Sequence, residues 1–225
     1  MSDIVVAALF VERGGVYWGL DGVDPWDEAR DARLYHGPWP VVAHPPCQRW
    51  GRYWSGGPML ARTPMAKRKG DDGGCFSSAL DCVRRWGGVL EHPAGSHAWR
   101  AFGLVAPVFG GGWTTADLFG GWTCHVEQGH YGHRARKATW LYACGAGGLP
   151  SLQWGPSASR ARLDAGFHSA EERRRRARTG PVVERLSKRE RLATPVPFRD
   201  LLLSIATGAR AGKRVTDTVD KRISK

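Results

Sequence analysis

The sequence predicts an α/β protein: a Rossmann-like, mostly parallel sheet with helices on both faces, followed by a basic helical C-terminal part. Three observations lead there. Val41-Val42-Ala43 is a short apolar run stopped by Pro45-Pro46, and Val89-Leu90-Glu91-His92 is another stopped by Pro93. Proline ends such runs because it cannot continue a sheet ladder. Between them Cys75 to Trp86 has Phe76, Leu80 and Val83 on one helical face and ends at Gly87-Gly88. Strand, helix, strand in that order is a βαβ unit with two parallel strands. The third observation is charge. Residues 155–225 carry 18 Lys/Arg against 8 Asp/Glu, a net +10 of the chain's formal +12.

In chain order, Ile4 to Val11 reads as a buried strand, and Val16 to Leu20 as a hairpin arm or a strand entering a glycine turn. Gly22 to Asp27 reads as a short strand ending in an acid, and Glu28 to Tyr35 as a helical turn or two. The Val41 strand then carries Cys47 on a stiff turn at its carboxyl end, the edge where open α/β sheets bind ligands. Residues 49–74 form a long loop in which Trp50, Tyr53 and Trp54 alternate with Arg49 and Arg52. Such side chains stack on bases or pack a loop onto the surface. Glu91 ends its strand as Cys47 follows its own. Residues 94–121 are irregular, and Thr123 to Gly129 and Ala138 to Gly145 are further strands. Glu171 to Arg178 is a strongly basic helix, and Phe198 to Ala206 an apolar one. The division expected is 1–146 core, 147–186 basic insert, 187–208 segment returning to the core, and 209–225 flexible basic tail.

Composition narrows the class. Hydrophobic residues make up 42% of the 225, normal for a globular chain, and no run is long enough to span a membrane. Five cysteines at irregular spacing, with no CxxC, argue for reduced thiols. Met1-Ser2-Asp3 leads straight into a strand without a basic leader, so a cytoplasmic location is expected. A near-neutral body with a basic end suits a polyanion, most simply nucleic acid.

Four segments then fall into one order: Pro45-Pro46-Cys47-Gln48, Val89-Leu90-Glu91-His92-Pro93, Tyr131-Gly132-His133-Arg134-Ala135-Arg136-Lys137, and Arg191-Leu192-Ala193-Thr194-Pro195. This order resembles the DNA cytosine-5 methyltransferases, with a Pro-Cys-Gln nucleophile loop, a strand-ending Glu, an Arg-x-Arg before a strand and a later Arg-x-Leu-Thr. Asp71-Asp72-Gly73-Gly74-Cys75-Phe76 is similar to that family's Asp-x-Arg-Gly-x-Leu-Phe helix start. The chain resembles small, divergent methyltransferase-like proteins of phages more than a full restriction-system enzyme, which implies a bacterial host cytoplasm. His92-Pro93 stands where the family has Asn-Val, and Gln128 lies upstream of the position where the family has the Gln of Gln-x-Arg-x-Arg.

The resemblance implies roles. Cys47 is the nucleophile and Glu91 the acid that protonates the ring, with Arg134 and Arg136 holding the base or the Cys47 loop. The donor is S-adenosylmethionine, met by Phe10 and Gly14 of a glycine-containing loop, by Asp27 at the ribose and by Pro46. A monomer acting on double-stranded DNA would contact it through Gln48, Arg49 and Arg52 and through Arg173, Arg174, Arg175 and Arg176. The chemistry is coherent: thiolate addition at C6 turns C5 of cytosine into an enamine carbon that attacks a methyl group. It asks for a lowered thiol pKa at Cys47, a partly protonated Glu91 and a flipped base. Three rivals remain: a zinc site from Cys124, His125, His130 and His133, joined in space by His44, Cys47 and His92; a nucleic-acid binder without catalysis; and an enzyme with a different donor or pyrimidine.

Overall fold

The computed structural model describes residues 3, 5–51, 68–163, 170–179 and 184–209. Seven strands follow the apolar runs: β1 (Val6–Leu9), β2 (Val23–Trp26), β3 (Val41–Ala43), β4 (Gly88–Pro93), β5 (Thr114–Thr115), β6 (Trp122–Glu127) and β7 (Ala138–Cys144). The helices are α1 (Cys75–Trp86), α2 (His97–Ala101), α3 (Ala170–Thr179), α4 (Lys188–Leu192) and α5 (Val196–Thr207). All strands join one sheet in the order β2-β1-β3-β4-β7-β6-β5.

The fold is α/β, but the sheet is mixed. β2, β1, β3 and β4 pair in parallel, while β4–β7, β7–β6 and β6–β5 pair antiparallel. The expectation of a mostly parallel sheet is therefore corrected: half of its six joins are antiparallel. For β5–β6 and β6–β7 the reason is connection length. Only residues 128–137 separate β6 from β7, and only 116–121 separate β5 from β6. Connections that short return a neighbouring strand antiparallel, whereas a parallel return needs a crossover of a dozen residues or more. β3 and β4 have that length, and α1 lies between them.

β1, β3 and the first half of β4 are buried on both faces, so they read as continuous apolar runs. Alternate residues feed two cores. Ala7, Leu9, Val41, Ala43 and Leu90 pack with Phe76, Leu80 and Val83 of α1. Val6, Ala8, Val42, Val89 and Leu141 pack with Phe198, Leu202 and Ile205 of α5. α1 starts where Asp72 supplies the missing acceptor: its Oδ2 accepts from the Phe76 N–H at 2.9 Å and from the Trp50 indole at 2.7 Å. Trp50 is buried against Phe76 and Phe102, so it packs the loop rather than offering a face to a base. The stretch expected as a hairpin arm at Val16–Leu20 is a series of turns, and the irregular region 94–121 contains α2, capped by the Ser96 hydroxyl on the Ala98 N–H at 3.1 Å. Tyr53, Trp54, Arg52 and residues 210–225 of the expected tail lie outside the described residues.

β3 and β4 meet closely at one point. Gly88 has φ +118°, and a Cβ there would sit 2.0 Å from the Val41 carbonyl oxygen. Gly88→Ala is expected to destabilise the fold by at least about 3 kcal/mol, combining backbone strain with overpacking. Urea unfolding measures it; a loss under about 1 kcal/mol would mean the strands have room to part.

Candidate active site

The carboxyl ends of β1, β3, β4 and β6 lie along one edge of the sheet, and the start of β7, which runs the other way, lies there too. Ala43 pairs with Leu90, so the next residues, His44 and Glu91, are level with each other. Their side chains meet: His44 Nδ1 lies 3.0 Å from Glu91 Oε2. His44 Nε2 is 2.8 Å from the Tyr17 hydroxyl. On the other side of Glu91, the Gln128 amide donates to Oε1 at 3.3 Å and to the Thr139 hydroxyl at 3.0 Å. Five side chains from five segments thus form one hydrogen-bonded chain. Glu91 is close to its middle, with 13% of its side chain exposed.

Three residues past His44, Cys47 follows the Pro45-Pro46 turn and is half-buried. The backbone closes behind it, Trp50 N–H to Cys47 carbonyl at 3.0 Å. Burial pushes the Cys47 thiol up, and the Glu91 charge pushes it further, with Lys137 as the opposing cation. Burial also works against the charge on Glu91, but the His44 hydrogen bond, with the charge of Lys137, outweighs it and holds the carboxyl below its ordinary range. Lys137 is pushed down by burial, while Glu91 and Cys47 support its charge. Its Nζ donates to the carbonyls of Leu192 at 3.3 Å and Ala193 at 2.7 Å, at the end of α4. Lys137 holds a left-handed backbone, φ 43°, a conformation unusual for a side-chain-bearing residue.

Several expectations change here. Arg134 and Arg136 do not join Cys47 and Glu91. Arg134 is exposed and pairs with Glu184 and Glu190, and Arg136 is exposed. Lys137, one residue on, is the cation at the site. It immediately precedes β7, and Glu91 and Cys47 act on its charge. The resting charges are also opposite to those expected: Cys47 is held as a thiol and Glu91 as a carboxylate. Tyr17 had no sequence signal of a role; His44 entered only as a zinc candidate, and Gln128 only as a residue out of place for the family's Gln.

Phe10, Asp27 and Pro46 lie just past the ends of β1, β2 and β3, three neighbouring strands. Phe10 is left-handed, φ 59°. Asp27 is buried, and its Oδ1 accepts from the Arg30 N–H at 3.0 Å, so part of that carboxylate is spent on its own turn. Gly14 is exposed with open space beside its Cα, so no close contact demands a glycine there. Gln48 is exposed beside Cys47, and Arg49 is half-buried. Arg173, Arg174, Arg175 and Arg178 are exposed on α3, which also carries Arg176.

The residues of the zinc reading go separate ways. Cys124 is buried in the sheet core, His130 Nε2 meets the Gly155 carbonyl at 3.0 Å, and the His133 nitrogens meet the carbonyls of Ala135 and Glu190. Among the described residues no group of three His, Cys, Asp or Glu side chains converges as a metal site would need. No helix among them is long and apolar enough to cross a membrane. No family model matches the chain, no curated protein is detectably similar to it, and no solved structure matches it.

His92, next to Glu91, points to the opposite core. It is fully buried between Phe76 and Trp99, and neither ring nitrogen has a hydrogen-bond partner among the described residues. Burial pushes its pKa down to about 4, against the pull of Glu91. A depressed folded-state pKa gives stability that is present above the unfolded value of about 6.5 and is lost as pH falls toward 4. Stability is expected to drop by about 3 kcal/mol over that window on account of His92, and His92→Phe should flatten the slope. Urea midpoints at pH 7 and pH 4.5 measure it, and an equal slope in both proteins would refute the assignment.

Proposed function

We propose that the chain is a DNA pyrimidine C5-modifying enzyme of the cytosine-5 methyltransferase type, with Cys47 as the nucleophile and S-adenosylmethionine as the methyl donor. The observation that carries this reading is the convergence of Cys47, Glu91 and Lys137 on one sheet edge. Cys47 and Glu91 belong to the motif order of that family; Cys47 follows β3, and Glu91 lies within β4, the neighbouring parallel strand. The strand order supports the Rossmann-like reading. From β1 the chain steps outward to β2 and then across to β3 on the other side, which makes the β1/β3 boundary a topological switch point. In open α/β sheets, ligands bind in the crevice at such a point.

In this mechanism the Cys47 sulfur bonds to C6 of a flipped cytosine, and the charge that develops on the ring is neutralised by a proton at N3. Glu91 lies beside Cys47 and rests ionised, so it accepts a hydrogen bond from the exocyclic amino group of the ring, takes the proton that the Cys47 thiol gives up, and passes it to N3 as the S–C6 bond forms. Lys137 stabilises the negative charge that builds while the sulfur is a thiolate. After C5 gains its methyl group, the C5 proton is lost to solvent, the S–C6 bond breaks, and the N3 proton returns through Glu91 to the sulfur, which releases the product and restores the thiol. Phe10, Asp27 and Pro46 would hold the donor over the ends of β1, β2 and β3, and the second oxygen of Asp27 suits a ribose hydroxyl. The group supplies an electrophilic methyl. Gly14 adds nothing that this reading requires. The exposed arginines of α3 suit phosphates, and Gln48 lies close enough to Cys47 to meet the neighbourhood of the flipped base. Such an enzyme works where the DNA is, in the cytoplasm of a bacterial host.

DNA containing 5-fluorocytosine tests this directly, because fluorine cannot leave C5 as a proton does. The wild type should form a covalent adduct when S-adenosylmethionine is added, and Cys47→Ala should form none. Glu91→Gln should fold, bind DNA and be slowed at least about a hundredfold in turnover. Absence of an adduct from the wild type leaves a nucleic-acid binder as the reading. Neutralising Arg173, Arg174, Arg175 and Arg178 together should weaken binding to all DNA sequences alike and reduce its salt dependence, since each phosphate contact releases a counterion. An unchanged salt slope would put the DNA surface elsewhere.

A further inference from the structure

Tyr17 and His44 touch no reacting atom in the mechanism above, yet they are bound into its centre. Tyr17 comes from the β1–β2 connection and is 3% exposed. Burial, with Glu91 adding to it, pushes its phenol far above the ordinary range, so it stays protonated. An ionised Glu91 only accepts, so in the neutral imidazole Nδ1 carries the proton and donates to it. Nε2 is then an acceptor, and the Tyr17 hydroxyl donates at 2.8 Å. Tyr17 thus fixes the ring's orientation and tautomer, and His44 fixes the charge and direction of Glu91.

The charged and titratable neighbours come from every side. His44 and Cys47 follow β3, Glu91 and His92 belong to β4, and Lys137 precedes β7; Arg199 and Asp200 of α5 face Tyr17. Arg199 is itself tied down, donating to the Val16 carbonyl at 2.9 Å and pairing with Asp200 at 2.7 Å. Cys47 therefore sits between one anion, Glu91, and one cation, Lys137.

We propose that the Tyr17–His44–Glu91 chain is a latch on the nucleophile: it fixes a carboxylate beside Cys47, and Cys47 becomes nucleophilic when an incoming pyrimidine engages that carboxylate. The proposal rests on the reading of Cys47 as the nucleophile. A ring that donates its exocyclic amino group to Glu91 spreads the carboxylate's charge, and Lys137 is then the dominant charge at the sulfur. Thiolate formation is thereby coupled to substrate arrival, and the unoccupied enzyme keeps a thiol that resists alkylation and oxidation. Tyr17 and His44 are positioning residues in this scheme.

The test is alkylation of the full chain by iodoacetamide across pH, without DNA, following the Cys47 peptide by mass. Glu91→Gln should react about threefold faster or more at pH 7, because the gain in thiolate outweighs its lower intrinsic nucleophilicity. Lys137→Met should react more slowly. His44→Asn releases Glu91 to the desolvation that favours its protonated form, so it too should react faster. The double variant His44→Asn/Glu91→Gln should match Glu91→Gln alone, a coupling that general loosening would not produce. Tyr17→Phe removes one hydroxyl and should shift the profile in the same direction, which keeps the test open if His44→Asn fails to fold. Wild-type rates in Glu91→Gln, or faster reaction in Lys137→Met, would overturn the latch. A wild type that shows this pattern but never traps 5-fluorocytosine overturns the enzymatic reading alone; trapping without the pattern overturns the latch alone.

Discussion

Val41 and Gly88 stand opposite each other where β3 meets β4, with no room between them for a side chain on residue 88. That contact fixes the register of the two strands, and the register fixes the site. Counting on from Val41 and Gly88, His44 comes level with Glu91, and Cys47 follows on the Pro45-Pro46 turn. A slip of one residue would send Glu91 toward the α1 core and bring His92 to face His44. The close approach of two backbones thus decides which of two adjacent ionisable residues, 91 or 92, meets the histidine and which is sealed among Phe76 and Trp99.

Glu91 shows how competing terms are resolved at that edge. A carboxylate this buried is unfavourable alone, and desolvation is the largest influence on it. It stays charged because His44 donates to one oxygen, Gln128 to the other, and Lys137 lies nearby. Three partners for one anion is the arrangement that offsets the loss of water. Cys47 has no comparable support. It faces the same anion and a single cation already engaged with two carbonyls, so its thiolate is disfavoured. The asymmetry follows from the partners each group has.

What could be read from the sequence was what proline and apolar periodicity announce. Pro45-Pro46 and Pro93 mark two strand ends, and the helix between them makes the strands parallel neighbours, so Cys47 and Glu91 could be brought together before any coordinates. Trp50 could not be assigned, since an aromatic beside arginines looks alike whether it faces a base or Phe76. The arginines of 131–137 were misleading for a related reason. Three cations within four residues compete for one place, and the winner depends on where the β7 parity begins and on the left-handed turn at Lys137. Gln128 was set aside because its spacing did not match a linear motif, yet a hairpin brings it to Glu91 from a different strand. The pairing of Tyr17 with His44 had no sequence signal, because a hydrogen bond across 27 residues leaves no local pattern.

The antiparallel half of the sheet accounts for the rest of the site. In a wholly parallel sheet the carboxyl ends of the strands gather at one edge and every amino-terminal start lies at the other. β7 breaks that rule. Running against β4 and β6, it brings its first residues to the edge where β4 and β6 finish. The tight return between β6 and β7 is held by the Gln128 and Gly129 N–H groups on the carbonyls of Lys137 and Arg136, at 3.2 and 3.1 Å. Both polar residues that reach Glu91 from this side, Gln128 and Lys137, are therefore the two ends of one hairpin connection. The short connection that makes the sheet mixed is also what supplies the amide and the cation to the carboxylate. Lengthening it would leave the βαβ half intact and remove the charge that opposes Glu91 at Cys47, so the topology and the electrostatics of the site are one constraint rather than two.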